Sequence, residues 1–328
     1  MNLNSLADLA KGLLIAFCVI AILAGLFEIY LVQRAADERT RLEERFADRD
    51  RCSRAAQDPR LIYEIIPGRC GANSQGFRDA EREFAKPPDV YRIILLGDSV
   101  AQGHGVARRD RFGELLARRF GDGVEIINLA RTGYSTSQEL VVLDQWGWRY
   151  QPDLILWSYV LNDPAHPVYH DANGELGRYY FRPAWQGYAY FARKLFEARE
   201  QWLSRDCETT YHELLHCVYR ADIARDIAAL GRAGQARGVP ILFAILPLLV
   251  DDDPYPHLAI HADLTTMAMA AGLRVVDLAS ILRETDPERL RQNRTTWIDP
   301  WHPNETGHRR IADQLYDEVA ALRKPASL

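Results

Sequence analysis

The sequence predicts an α/β protein: a parallel sheet with helices on both faces, in three layers, preceded by an N-terminal transmembrane helix. Three observations predict it. From Tyr91 onward, short apolar runs alternate with stretches of helical period. Those runs are apolar at nearly every position, the pattern of strands buried on both faces of a parallel sheet. Residues 13–32 read LLIAFCVIAILAGLFEIYLV with a single charge, Glu28; about 20 such residues cross a bilayer as a helix.

Composition sets the frame. The chain has 328 residues, room for one large domain or two ordinary ones. It is 48% hydrophobic and 26% charged, as globular proteins are. A formal net charge of -5 and the lack of a long basic run exclude a general nucleic-acid binder.

A short tail, 1–12, precedes the span of 13–32. Glu28 and Tyr30 fall near its end, where carboxylate and phenol reach the interface. A cleaved signal peptide is the rival reading, but small-x-small spacing is poor: Ala24 follows Ile22 and Ala36 follows Arg34. We therefore expect a retained, single-pass anchor. Only Lys11 precedes it, whereas Arg34, Arg39, Arg41 and Arg45 follow. Taken alone, that asymmetry keeps the C-terminal side in the cytoplasm. Cysteine usage points the other way. Cys18 lies in the span, and the others fall as Cys52 with Cys70 and Cys207 with Cys217. Two locally spaced pairs are what an oxidising compartment produces, with four ordinary buried thiols as the alternative. The expectation is an exported, periplasmic or otherwise extracytoplasmic domain.

Residues 33–60, charged and Ala-rich, read as a solvated helical stalk. Residues 61–90 are a turn-rich connection closed by Pro87-Pro88. The main domain, 91–328, then runs strand 92–96, helix 111–120, strand 124–129, helix 137–146, strand 153–161, strand 239–246, helix 261–271, strand 273–278 and closing helix 307–322. Residues 164–220 interrupt this rhythm with Tyr169, Tyr179, Tyr180, Phe181, Trp185, Tyr188, Tyr190 and Phe191. Such an insertion either builds a substrate pocket or packs on itself as a lid.

Ligands of parallel sheets bind at the carboxyl ends of strands. Ser99 stands there, in RIILLGDSVAQGHGV, directly after the first apolar run. Its neighbour Asp98 reads as a turn or helix-cap residue. A serine hydroxyl is a weak nucleophile that needs a base, and the base needs an acceptor to orient it. Asp299 and His302, three positions apart in WIDPWHPN, offer that pair on a turn stiffened by Pro300 and Pro303. Acyl transfer also needs donors for the oxyanion. Gly133 in NLARTGYST leaves its backbone N–H approachable, and Asn162 in VLNDP offers a side-chain amide. Asp251-Asp252-Asp253 reads as a solvated loop rather than a metal site, and no metal or cofactor is expected.

These blocks resemble the SGNH (GDSL-type) hydrolases. GDSV at 97–100 resembles the serine block, Gly133 in ARTGYS the glycine block, Asn162 in VLND the asparagine block, and DPWHPN at 299–304 the Asp-x-x-His block. The resemblance spans roughly 91–322. Val160 stands where the third block usually begins with glycine. The stretch NSQGFRDAE, 73–81, resembles a segment upstream of the serine block in membrane-anchored bacterial members. Because Ala101 follows Val100, the serine is not in a Gly-x-Ser-x-Gly elbow, which disfavours an α/β-hydrolase. The resemblance implies a serine esterase with Ser99, His302 and Asp299 as its triad. The oxyanion donors would be the Ser99 and Gly133 N–H groups and the Asn162 amide. The substrate would be an acylated envelope carbohydrate or lipid. The alternatives are an O-acyltransferase on a cell-envelope polysaccharide and a non-catalytic envelope-binding scaffold that keeps the fold.

Overall fold

A computed structural model of the chain describes residues 3–46, 52–58, 60–164, 191, 194–195, 198–199, 201–207, 210–294 and 297–323. The aromatic positions Tyr169, Tyr179, Tyr180, Phe181, Trp185, Tyr188 and Tyr190 lie outside the described residues.

Helix α1, Leu3–Phe46, carries the apolar span and runs on into the charged segment. Its Ala10–Asp37 stretch is long and apolar enough to cross a membrane. Within 33–60 the helix ends at Phe46, and strand β1, Ser53–Ala55, pairs antiparallel with β2, Tyr63–Ile65. A bond between Cys52 and Cys70 closes this hairpin region, with Cα atoms 5.6 Å apart. Neither strand was expected: at three residues each, they carry too little periodicity to register.

The five expected strands all form and pair in parallel. They are β3 (Tyr91–Leu96), β4 (Val124–Asn128), β5 (Leu154–Tyr159), β6 (Ile241–Ile245) and β7 (Arg274–Asp277), in the order β4-β3-β5-β6-β7. Every residue of β5 and β6 is buried, which is why these runs show no polar alternation. A single-turn helix α2 (Ser99–Gln102), then α3 (Phe112–Phe120), α4 (Thr136–Gln145), α5 (Tyr211–Arg237) and α6 (Leu258–Ala270) fill the crossovers. The last segment holds α7 (Ile281–Glu284), α8 (Pro287–Leu290), the antiparallel pair β8 (Arg291–Arg294) and β9 (Trp297–Pro303), and α9 (Glu305–Leu322).

Connections reverse direction at β3: the chain steps to β4 on one side and returns to β5 on the other. Right-handed crossovers then put α3 on one face and α4, α5 and α6 on the opposite face. The contacts agree, since α3 packs on α9 while α4, α5 and α6 pack in series. This makes the three-layer α/β/α architecture. Helix α5 begins inside the 164–220 stretch, and the Cys207–Cys217 bond ties its first turns to the segment before it.

Candidate active site

Strand β3 delivers Ser99 to the carboxyl edge at the point where strand order reverses, the usual place for a ligand in such sheets. The turn is tight. A Cβ on Gly97 would lie 2.7 Å from Ala101 Cβ and 2.9 Å from the Ser158 carbonyl oxygen, so only glycine passes between α2 and β5. Asp98 caps α2 by accepting the Val100 N–H at 2.8 Å. Past α2, the Arg78 guanidinium donates to the carbonyls of Gly103 at 2.9 Å and Val106 at 3.3 Å. The NSQGFRDAE stretch thus backs the loop that follows the serine.

His302 reaches Ser99 across 203 positions of sequence, with Nε2 2.9 Å from Oγ. Its Nδ1 lies 2.8 and 2.9 Å from the two Asp299 oxygens. With Nδ1–H committed to the carboxylate, Nε2 is left to accept the serine proton. The expected turn is a bulged strand. Gln292 pairs with Asp299 and Arg291 with Pro303, so residues 300–302 have no opposite number on β8 and swing His302 outward. Asp299 also accepts the N–H groups of Trp301 at 3.2 Å and His302 at 3.1 Å. Burial pushes its carboxyl up, but the His302 ring and these N–H groups outweigh that and hold it below the ordinary value.

Gly133 and Asn162 stand in the loops that follow the two strands flanking β3. Gly133 follows β4 with φ at 75°, and a Cβ there would sit 2.7 Å from the Tyr63 hydroxyl oxygen. The turn is held from both sides: Gln102 Oε1 accepts the Thr132 N–H at 2.5 Å, and the Tyr63 hydroxyl donates to the Thr132 carbonyl. Asn162 follows β5, and its Nδ2 lies 3.5 Å from Asp98 Oδ2. Val160, at the family's glycine position, donates its N–H to Asp163 Oδ2 at 2.7 Å.

Sequence reasoning confined Asp98 to capping. The structure adds to that: Asp98 Oδ2 lies 3.1 Å from Ser99 Oγ, a second acceptor beside the hydroxyl proton that His302 faces, and so stands between Ser99 and Asn162. Asp98 is fully buried, and burial pushes its carboxyl up despite those donors. His104 was missed too; its ring centroid lies 4.5 Å from that of His302. Both residues stand inside GDSVAQGH, but only the fold shows that they converge. Behind the edge, Asp163 is fully buried and Glu139 nearly so. Trp157 Nε1 donates to Glu139 at 2.5 Å. Burial first, then their mutual charge with Asp98, pushes both carboxyls well above their ordinary values.

The acidic run at 251–253 is elsewhere engaged, with Asp251 pairing Arg291 at 2.7 Å. Among the described residues, no group of three His, Cys, Asp or Glu is arranged to hold a metal ion.

No curated protein matches the chain. Several solved structures are similar at low identity. The lipase/acylhydrolase from Enterococcus faecalis aligns at 15% identity with a TM-score of 0.46, over 73% of this chain and 100% of that one. The M. smegmatis aryl esterase aligns at 15% and 0.44, over 71% and 100%. The psychrotrophic esterase EstA from Pseudoalteromonas sp. aligns at 17% and 0.43, over 70% and 97%. The profile of the GDSL-like lipase/acylhydrolase family matches residues 95–310, from within β3 to the first turns of α9, and the chain belongs to that family.

Proposed function

We propose that the chain is a serine esterase of the SGNH type that cleaves acyl groups from an envelope carbohydrate or lipid. The observation that carries this reading is the relay Ser99 Oγ, His302 Nε2, His302 Nδ1, Asp299, in which every link is at 2.8–2.9 Å. In the first step Ser99 Oγ attacks the ester carbonyl carbon while His302 Nε2 takes its proton. Asp299 stabilises the imidazolium. The oxyanion meets the Gly133 N–H, the Asn162 amide and the Ser99 N–H, one of the orphan donors that every helix start leaves. His302 then protonates the departing alkoxide, leaving the acyl group on Ser99. Water attacks that ester in a second, equivalent cycle.

Val100, Val160, Leu249, Trp301 and Pro303 line, with Ile281, Leu290 and Ile311 of the surrounding core, an apolar cavity of about 10 Å³, room for roughly one water-sized group. Two disulfides downstream of the apolar span support an extracytoplasmic domain.

The test uses the full chain in detergent. Ser99→Ala should abolish turnover of a chromogenic acetyl ester and labelling by a fluorophosphonate, with its melting temperature nearly unchanged. A variant that keeps full esterase activity would overturn the assignment.

A further inference from the structure

The mechanism leaves one surface unused. Residues 191, 194, 195, 198, 199 and 201–203 are helical. At 3.6 residues per turn, positions 191, 195, 198 and 202 fall within about 60° of one another around the helix axis. They are Phe191, Leu195, Ala198 and Trp202. The three large side chains point to solvent, 58%, 73% and 60% exposed. A stripe of this kind is normally buried, so its exposure points to a partner. Lys194 and Arg199 lie on either side of the stripe, and the Arg205 guanidinium sits 5.0 Å from the Trp202 ring centroid. An apolar stripe with Trp and basic flanks is the composition of a helix lying in a membrane interface.

What meets the stripe is indicated by its first residue. The Phe191 ring lies 6.2 Å from that of Phe27 in α1. Phe27 stands five residues before Val32, the last apolar residue of the span. At 1.5 Å per residue that is about 7.5 Å below the end of the span, inside the roughly 5–10 Å depth at which interfacial helices rest. Tyr30 stacks on Phe27 at the same level.

We propose that the helical positions 191, 194, 195, 198, 199 and 201–203 dock on the lipid bilayer beside the exit of α1, with Phe191, Leu195 and Trp202 in the boundary between headgroups and acyl chains. This rests on α1 being a retained anchor. It gives the insertion a definite task. Arg199 of the same helix, paired with Asp222 at 3.5 Å, lines a polar cavity of about 360 Å³ with Ser135, Ser137, Asp163, Tyr219 and Asp226. Ser135 and Asp163 follow β4 and β5, so that cavity lies on the carboxyl side of the sheet. The docked helix would hold this polar mouth at headgroup level, where a membrane-borne ester presents its alcohol.

Nitroxide labels on single cysteines, introduced after Cys18→Ala in the full chain, test this in nanodiscs of phosphatidylethanolamine and phosphatidylglycerol. Four sites suffice: Phe17→Cys in the span, Leu195→Cys and Trp202→Cys on the stripe, and Met269→Cys, an apolar position 65% exposed on α6. The expected result is more collision with oxygen than with a nickel chelate at 17, 195 and 202, and the reverse at 269. Lipid contact at 17 with water contact at either 195 or 202 would overturn the docking while leaving the anchor intact. Water contact at 17 would overturn the anchor reading and the docking with it.

Discussion

His308 offers a sharp test of how the relay's loop is held. It lies on α9, six residues past His302, and is fully buried. Its Nδ1 accepts the Phe112 N–H at 3.3 Å, its ring stacks on Phe112 at 5.8 Å, and its Nε2 is buried without a partner among the described residues. Burial, helped by the charges of Arg111 and His302, pulls the imidazole down to about 3 from an ordinary 6.5. Below pH 6.5 the unfolded chain therefore binds a proton that the native state refuses. The stability linked to this group is complete above 6.5 and is lost as pH falls toward 3. Acidifying from about pH 7.5 to about pH 4.5 gives a loss of about two pH units' worth, or about 2.7 kcal/mol at about 1.36 kcal/mol per unit.

For a domain of this size that is a fall of about 5–10 °C in melting temperature. His308→Asn keeps an acceptor for the Phe112 N–H and cannot titrate. In detergent, by near-ultraviolet circular dichroism, it should melt below the wild type at neutral pH because packing is lost, yet fall less on acidification. Carboxyl groups that titrate in the same window are present in both proteins and cancel in the comparison. If the two proteins lose the same number of degrees between these pH values, the burial argument for His308 is wrong.

Three further outcomes are expected. Gly133→Ala forces a side chain into a left-handed backbone at a cost of about 1–2 kcal/mol and drives its Cβ onto the Tyr63 hydroxyl; it should lower both melting temperature and kcat, and unchanged values of both would contradict the turn's role. Asn162→Ala should lower kcat by about 10²–10³ with little change in KM, so a defect confined to KM would remove Asn162 from the oxyanion site. Glu139→Gln keeps an acceptor for the Trp157 indole. Burial raises the Glu139 carboxyl, so the native state holds an extra proton and wild-type stability falls as pH rises above the ordinary value of 4.5. The variant should therefore out-melt the wild type at about pH 8 and match it at about pH 4; equal melting at both pH values would show that Glu139 does not titrate this way.

Much of the fold was legible because a parallel sheet writes itself into local runs. The central strands β5 and β6 are buried on both faces and the others are mostly apolar, so the runs at 92–96, 124–129, 153–161, 239–246 and 273–278 stood out without any knowledge of pairing. The hairpin of β1 and β2 did not, since three-residue strands have no period. Helix α5 was hidden for another reason. Its first turns carry Tyr211, His212, His216 and Tyr219, which read as a continuation of the aromatic insertion. The convergence of Asp98 and His104 on Ser99 and His302 was illegible even though both residues were in view. Capping accounted for Asp98 fully, and only the return of β5 beside β3 brings Asn162 to its second oxygen.

Sequence separation says little about distance in this architecture, and the reason is geometric. A parallel sheet brings every strand to the same edge, so the residues after β3, β4 and β5 meet there whatever lies between them in the chain. Ser99, Gly133 and Asn162 need only be the first or second turn after their strands. His302 is different, because no strand of the main sheet carries it. It depends on the β8–β9 bulge and on α9 packing against α3, where His308 accepts the Phe112 N–H. His302 is thus positioned by the helical layer while Ser99 is positioned by the sheet. A substitution that loosens α9 from α3 should therefore weaken the Ser99–His302 hydrogen bond before it disturbs Gly133 or Asn162. His308→Asn, chosen for its pH behaviour, tests this too: kcat should fall at neutral pH while fluorophosphonate still reaches Ser99 more slowly. Unaltered kcat in that variant would show that β9 holds His302 without help from the helix behind it.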